Sequence, residues 1–427
     1  MEKNDFFREA RRDIPGPLAG VRVLEATTTW AGPMCGCLLA DFGADVIKVE
    51  LPDGEISRTI PPFLPDTNPP VSNMHATVNR NKRSLSLDLR TPDGCDIFLK
   101  LATGSDVVLE NFRPGTMDKW GVGYEAVRRV KPDIIYTSIS GFGQYGPDHD
   151  RAGYDTLAQA ASGFMSLNGN REGAPVRAAT ALGDDLAGMH GALATLAALS
   201  HHHRTGEGQH VDVSLLDSIL FQSNGHLTLG ALGVPLQRWG NESPYAMPAN
   251  VYACRDGHIR LAVVLDSHWK ILARLIGRPD LAENPEFSQQ ANRFNHREEA
   301  NALIAAWCAP RSADEVLALF IKAGLAAAPI RTYAQAARDP HVLARDMLQD
   351  TRQADGSVVP ITGPAAKFSR TPTRVRTEAP ALGTHDEEIL HNLGFSTAEI
   401  ERLREKGVIT RPAALERSDD CVAVRQK

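Results

Sequence analysis

The chain has no excess of positive charge. Its 46 Lys and Arg stand against 52 Asp and Glu, for a formal net charge of −6. No global basic field therefore recommends nucleic acid or an anionic membrane surface as partner, and any anionic ligand must be held by a local cluster. Cysteine is scarce and scattered: Cys35, Cys37, Cys95, Cys254, Cys308 and Cys421 form no C-x-x-C pair. That leaves neither structural zinc nor a secreted disulfide framework supported, and Cys35-Gly-Cys37 reads as helix packing. No apolar run approaches the ~18–20 residues that span a bilayer. The start, Met-Glu-Lys-Asn-Asp-Phe-Phe-Arg, lacks the apolar centre of a signal peptide. The expected compartment is the cytoplasm.

What is present is ordinary for a soluble globular protein, 42% hydrophobic and 23% charged over 427 residues. That length holds two domains or one large interleaved body. Residues 1–17 are charged and end in Pro15-Gly-Pro17, an appended segment before the fold. Strands are expected at 21–26, 45–50, 84–89, 106–110, 133–139 and 209–213. Helices fall between them at 32–42, from the Thr91-Pro92 cap to 101, and at 124–130. Strands alternating with helices of this length argue for a mainly parallel sheet covered on both faces, with ligands at the carboxyl ends of its strands. A long amphipathic helix over 214–232 is expected to connect two bodies. After it come a hairpin centred on Asp256-Gly257, helices at 267–277, 297–308 and 312–324, and a strand at 358–361. A capping box at Ser396 to Glu399 starts a final helix.

Two motifs that suggest familiar chemistry do not carry it. Gly141-Phe-Gly-Gln-Tyr-Gly146 matches the dinucleotide fingerprint, but Pro147-Asp-His-Asp follows where a helix should open. His201, His202 and His203 are adjacent on a helix and point in different directions, so a helix C-terminus that favours cations explains them better than a metal does. No metal and no permanently bound cofactor are expected.

The stretch 176–190 is different. An apolar run ends at Gly183, and Asp184 and Asp185 follow at the start of a small-residue helix. Its inward face is expected at Leu186, Met189, Leu193, Leu196 and Ala197. From the residues alone, either acid can be an N-cap, a general base or a carboxylate nucleophile.

Several stretches together resemble the class III CoA-transferase family, the CaiB/BaiF type that includes formyl-CoA transferase. They are Pro17-Leu-Ala-Gly-Val-Arg-Val-Leu-Glu25, Ala31-Gly-Pro33, Asp41-Phe-Gly-Ala-Asp-Val-Ile-Lys-Val-Glu50, Asn81-Lys-Arg-Ser84 and Glu110-Asn-Phe-Arg-Pro-Gly115. Gly141-Phe-Gly-Gln144, Arg204-Thr-Gly-Glu-Gly-Gln209 and Leu382-Gly-Thr-His385 continue the series in order. The resemblance implies an α/β fold. A large Rossmann-like domain is built from both chain ends (18–213 and 338–411), with a helical connector (214–243), a smaller α+β domain (244–337) and a tail (412–427). Two chains would thread through each other as an interlocked homodimer. It also implies an acyl-CoA and a small carboxylic acid as substrates, with coenzyme A arriving as a thioester.

By the same resemblance Asp184 is the nucleophile, and Asp185, one residue closer to the helix, keeps the capping role. Coenzyme A would be bound at Trp30, Ala31, Leu87, Asp88, Leu89, Arg90, Asn111, Phe112, Arg113 and Lys119. Gly183 would supply an oxyanion donor and Tyr154 would line the acyl pocket, its plainer reading being a core aromatic. Leu51 stands where formyl-CoA transferase has Arg, and Trp30 where it has Gln. Its glycine-rich loop is absent too, with Gly240-Asn-Glu-Ser243 roughly in that place. The expected acid is therefore larger and less polar than oxalate or formate. The rivals are an α-methylacyl-CoA racemase and a CoA-ester-binding protein without turnover. The racemase motif Ala-Gly-His-Asp reads Ala152-Gly-Tyr154-Asp155 here, and Tyr, with a pKa near ~10, is a poor base at neutral pH.

Overall fold

Strands buried on both faces read as unbroken aliphatic runs, because neither side meets water. In the computed structural model, which describes residues 1–410, the strands are β1 (Arg22–Ala26), β2 (Asp45–Glu50), β3 (Arg83–Ser86), β4 (Val107–Glu110), β5 (Ile135–Ser140) and β6 (Gln209–Ser214). Of these β1 and β4 come closest to such runs, while the edge strand β6 is exposed or half-buried up to Ser214. Together the strands make one parallel sheet in the order β3-β2-β1-β4-β5-β6. Val23 pairs with Val46 on one side and Val107 on the other, and Leu24 with Ile47 and Val108. Leu24, Leu85, Phe98 and Leu109 are fully buried, each worth roughly 1.5–3 kcal/mol in side-chain burial. The strand order reverses between β1 and β4, which opens a crevice beyond their carboxyl ends.

The helices over this sheet are α1 (Ala31–Asp41), α2 (Pro92–Thr103), α3 (Tyr124–Val130), α4 (Asp155–Ala161), α5 (Leu182–Thr205) and α6 (Leu215–Phe221). Thr91 caps α2 by accepting from Gly94 N–H. The chain forms two compact units. The first comprises Met1–Ser162, Ala179–Gly225 and, among the described residues, 346–410. The second comprises Gly163–Ala178 and His226–Arg345. Its sheet, β7 (Ala249–Cys254), β8 (Gly257–Ala262) and β9 (Ala326–Pro329), is antiparallel and packs on a core around Trp269, Leu272, Ile304 and Phe320. An antiparallel pair, β10 (Leu348–Arg352) and β11 (Val358–Thr362), belongs to the first unit. So does the N-terminal segment, where Arg11 N–H donates to Arg370 O (2.7 Å) and Arg376 to Pro15 O (3.2 Å). The expected tail at 412–427 lies outside the described residues. Among those described, no helix is long and apolar enough to cross a membrane.

Two sequence expectations fail here. The helix expected over 214–232 is two: α6 stops at Phe221 and a second runs His226–Ala231. Asn224 and Gly225 between them take left-handed φ values of 51° and 78°, which break the helical path. The inward face of α5 is also not the one expected. Met189 and Leu193 are 56% and 64% exposed, while Gly188, Gly191, Ala192 and Thr195 are buried. The cause is the closeness of α1: a Cβ on Gly188 would lie 2.8 Å from Met34 Cγ and 2.9 Å from the Ala31 carbonyl.

Candidate active site

Two loops meet at the reversal of the sheet. After β1, residues 27–30 turn into α1 with Thr29 at φ 70°; after β4 comes Asn111. Thr28 N–H donates to Asn111 Oδ1 (2.8 Å), and Asn111 Nδ2 donates to the Thr28 carbonyl (2.9 Å). Buried charges hold the same loop from the strand side. Glu25 accepts from Lys82 Nζ (2.8 Å) and Thr27 Oγ1 (2.5 Å), and Lys48 Nζ donates to the Thr27 carbonyl (3.0 Å). Glu55 accepts from Thr29 N–H (3.0 Å) and the Thr28 hydroxyl (3.1 Å). Burial alone would raise the Glu55 carboxyl, but its bond to His75, the Lys48 charge and Ser57 outweigh this and hold it well below the usual range.

From this loop Trp30 reaches to α5, where its Nε1 donates to Asp185 Oδ1 at 2.6 Å. The capping role expected of Asp185 does not hold. Ala181 occupies the N-cap with no side-chain cap, and both acids lie inside the first turn. The cap comes from another element. Asp155, the first residue of α4, accepts Gly183 N–H on Oδ1 (2.7 Å) and Gln159 Nε2 on Oδ2 (2.7 Å). Asp155 and Gln159 share a face through their i, i+4 spacing. The approach leaves little room at Gly183, where a Cβ would stand 3.2 Å from Asp155 Oδ1 and 3.0 Å from Ile219 Cδ1.

Asp184 sits between these two acids. Burial pushes its carboxyl up to about 7, and the charges of Asp155 and Asp185 push it the same way. Burial raises Asp185 as well, opposed by the Trp30 bond. A carboxylate titrating near neutrality combines raised basicity with a substantial ionised fraction at working pH, as a nucleophile requires.

The expected coenzyme A contacts follow the carboxyl ends of β1, β3 and β4. Trp30 and Ala31 open α1. Leu87 and Leu89 put their side chains into the hydrophobic core, and Arg90 closes on Asp88 at 2.7 and 2.8 Å. Phe112 packs edge-on against Trp120 with centroids 5.0 Å apart, and its N–H donates to Glu110 Oε2 (2.8 Å). The Arg113 guanidinium donates to the Asp150 carbonyl. Lys119 is exposed at the end of the short helix Thr116–Lys119. Tyr154 is 68% exposed, so it is no core aromatic. The Gly183 N–H, expected as an oxyanion donor, is taken by Asp155. His201 and His202 pair with Glu207 (3.0 Å) and Asp133 (3.1 Å). Among the described residues no group of three or more His, Cys, Asp or Glu is placed to hold a metal. Reading the sequence missed Asp155, Gln159 and Glu55. The i, i+4 spacing was a signal for the first two; Glu55, in a loop with distant partners, offered none.

Comparison with known proteins identifies the family. A model of CoA-transferase family III matches residues 18–386. The chain is 38% identical over 390 residues to succinyl-CoA:mesaconate CoA-transferase of Haloarcula hispanica, which covers 90% of this chain and 98% of that one. It is 37% identical over 392 residues to succinate–glutarate CoA-transferase of Agrobacterium fabrum, covering 89% and 97%. The crystal structure of a CaiB/BaiF family protein from Brucella suis matches with a TM-score of 0.81 and 34% identity, over 89% of this chain and 100% of that one.

Proposed function

The chain belongs to CoA-transferase family III, and from that premise we propose that it moves coenzyme A from an acyl-CoA to a carboxylic acid through covalent intermediates on Asp184. The observation that carries the reading is Asp184 itself, raised to about 7 at the start of α5 and beside the crevice where the sheet reverses. A free acid attacks a thioester poorly, and an enzyme carboxylate divides the transfer into easier exchanges. An Asp184 oxygen bonds the donor acyl carbon as the C–S bond breaks, giving a mixed anhydride and CoA thiolate. The thiolate then attacks the Asp184 carbonyl carbon. The donor acid leaves as its carboxylate, and an aspartyl-CoA thioester remains. The acceptor acid runs the same steps in reverse. Backbone N–H groups of the first turn of α5 would steady the oxyanions, the Gly183 N–H only once Asp155 releases it.

Coenzyme A would lie across the switch point, with Trp30, Ala31, Asn111 and Phe112 beside it and Arg90, Arg113 and Lys119 taking phosphates. The relatives are named for succinyl-CoA, mesaconate, succinate and glutarate. They support succinyl-CoA as donor and a four- or five-carbon dicarboxylic acid as acceptor, an acid larger than the oxalate or formate that the departures from formyl-CoA transferase argue against. The same reading includes an interlocked homodimer. Met189, Leu193 and Phe221, apolar side chains 56%, 64% and 77% exposed in the single chain, support it. Light scattering at twice the chain mass is expected, and a monomer would count against it.

The test incubates the protein with succinyl-CoA and a panel of acids and follows the new CoA esters. Transfer that Asp184→Ala abolishes, with the fold intact, supports the reading; undiminished transfer in that variant sinks it. Deuterium entering at Cα without transfer would instead identify a racemase, and a retained ester with neither outcome a binding protein.

A further inference from the structure

We propose that Asp155 is a positioning residue whose negative charge, fixed against Gly183 by the Gln159 amide, drives Asp184 toward its covalent CoA state by making the free carboxylate the disfavoured partner. This rests on Asp184 being the nucleophile and names what powers its first half-reaction.

Among the described residues no ion pair gives the charge on Asp155 a counter-ion. Its two donors, the Gly183 N–H and the Gln159 amide at 2.7 Å each, are neutral. The donor to Asp185, the indole of Trp30, is neutral as well. Around the first turn of α5 the packed elements bring no cation. α4 carries Asp155; α6 carries Asp217; β6 carries His210 and Asp212; β5 carries Tyr136; α1 carries Cys35, Cys37 and Asp41; and α5 itself adds Asp185 and His190. None of these elements holds a Lys or Arg except α5, whose Arg204 is twenty residues on, about 30 Å along the helix axis. His201, His202 and His203 share that far end. Both flanking carboxylates raise Asp184 beyond what its burial does.

The charge balance of the half-reaction turns this crowding into a driving force. The Asp184 carboxylate and an acyl-CoA become an aspartyl-CoA thioester and the free carboxylate of the donor acid. One C–S bond breaks, one C–S bond forms, and one oxygen passes from Asp184 to the departing acid. The negative charge that was held among Asp155 and Asp185 leaves for solvent on that acid. The repulsion that makes Asp184 basic therefore also favours its thioester, by one power of ten in the equilibrium for each unit of pKa. When Asp184 begins protonated, the same step releases one proton, so the gain is complete only above its titration.

The experiment uses the full-length protein with an acyl-CoA that the transfer assay accepts, succinyl-CoA first. It reads the ratio of aspartyl-CoA to free enzyme by intact-protein mass spectrometry, at a fixed ratio of succinyl-CoA to succinate, from pH 5 to 9. Asp155→Asn keeps an oxygen for the Gly183 N–H and loses the charge. Its ratio above pH 8 is expected to fall about tenfold, one unit of neighbouring-charge effect, and to level off at lower pH than in the wild type. Asp155→Glu, which keeps the charge, is expected to stay near the wild type. An unchanged ratio and pH course in a folded Asp155→Asn overturns the proposal. If that variant does not fold, Asp185→Asn decides, because removing the second charge must lower the ratio in the same direction and an unchanged ratio overturns the charge argument. A wild type that forms no adduct on Asp184 would overturn the nucleophile reading itself, which is a different result.

Discussion

Replacing Asp184 by Asn should make the protein more stable, and the gain should appear only as the pH rises. Asp184 is raised from its ordinary value to about 7 in the folded chain. The folded state therefore holds a proton that the unfolded state has already lost. Relative to an uncharged Asn, the wild type has its full stability below about pH 4 and loses it progressively as the pH climbs through 7. A shift of about 3 units at 1.36 kcal/mol per unit sets a ceiling of about 4 kcal/mol. Water and side-chain relaxation near an open site bring the expected gain to about 1–2 kcal/mol, or about 2–6 °C in Tm for a domain this large. Asn has nearly the same shape as Asp, so packing effects cancel when the difference between variant and wild type is compared across pH. Thermal scans at pH 4.5 and 8.5 are expected to show little difference at the first and a clear gain at the second. An equal difference at both, or a variant less stable at pH 8.5, would refute the idea that a strained carboxylate is kept there for chemistry.

Three further outcomes are expected. The kcat/KM for transfer should rise with pH and level off through about 7, because only ionised Asp184 attacks; a profile flat from pH 5.5 to 8.5 contradicts this. Glu55→Gln weakens two charge-assisted bonds that hold residues 28 and 29. It should raise KM for the CoA ester by about tenfold with a smaller change in kcat, and an unchanged KM would remove Glu55 from the site's support. Gly188→Ala forces a methyl against Met34 and the Ala31 backbone and should lower stability by about 1–3 kcal/mol in urea titration; a neutral result would mean that α1 and α5 can separate at little cost.

The sheet was legible in the sequence because several of its strands, such as those at 22–26, 45–50 and 107–110, are short apolar-rich runs between turn residues, and because Thr91-Pro92 marks the start of α2 so plainly. The face of α5 was not legible. A periodicity reading places large apolar side chains inward, whereas the closeness of α1 calls for glycine at 188 and 191 on the buried face and leaves Met189 and Leu193 outward. The break after Phe221 did carry a local signal, Asn224-Gly225, which the apolar periodicity around it obscured. At the site, Asp184 was singled out by the resemblance, which rests on ordered motifs along the chain. Asp185 could not be assigned, since its partner Trp30 is 155 positions away in the chain. Asp155 lay in plain view beside Tyr154, but its acceptance of the Gly183 N–H depends on how α4 and α5 pack, which no local pattern encodes.

The central claim is that an oxygen of Asp184 becomes an oxygen of the departing acid and is replaced from the incoming one. Transfer from succinyl-CoA to glutarate carrying 18O in its carboxylates, followed by mass spectrometry of the peptide that contains Asp184, measures this directly. A gain of about 2 Da per label, confined to Asp184, is the predicted result of anhydride exchange. Glutaryl-CoA formed while Asp184 stays unlabelled would contradict it.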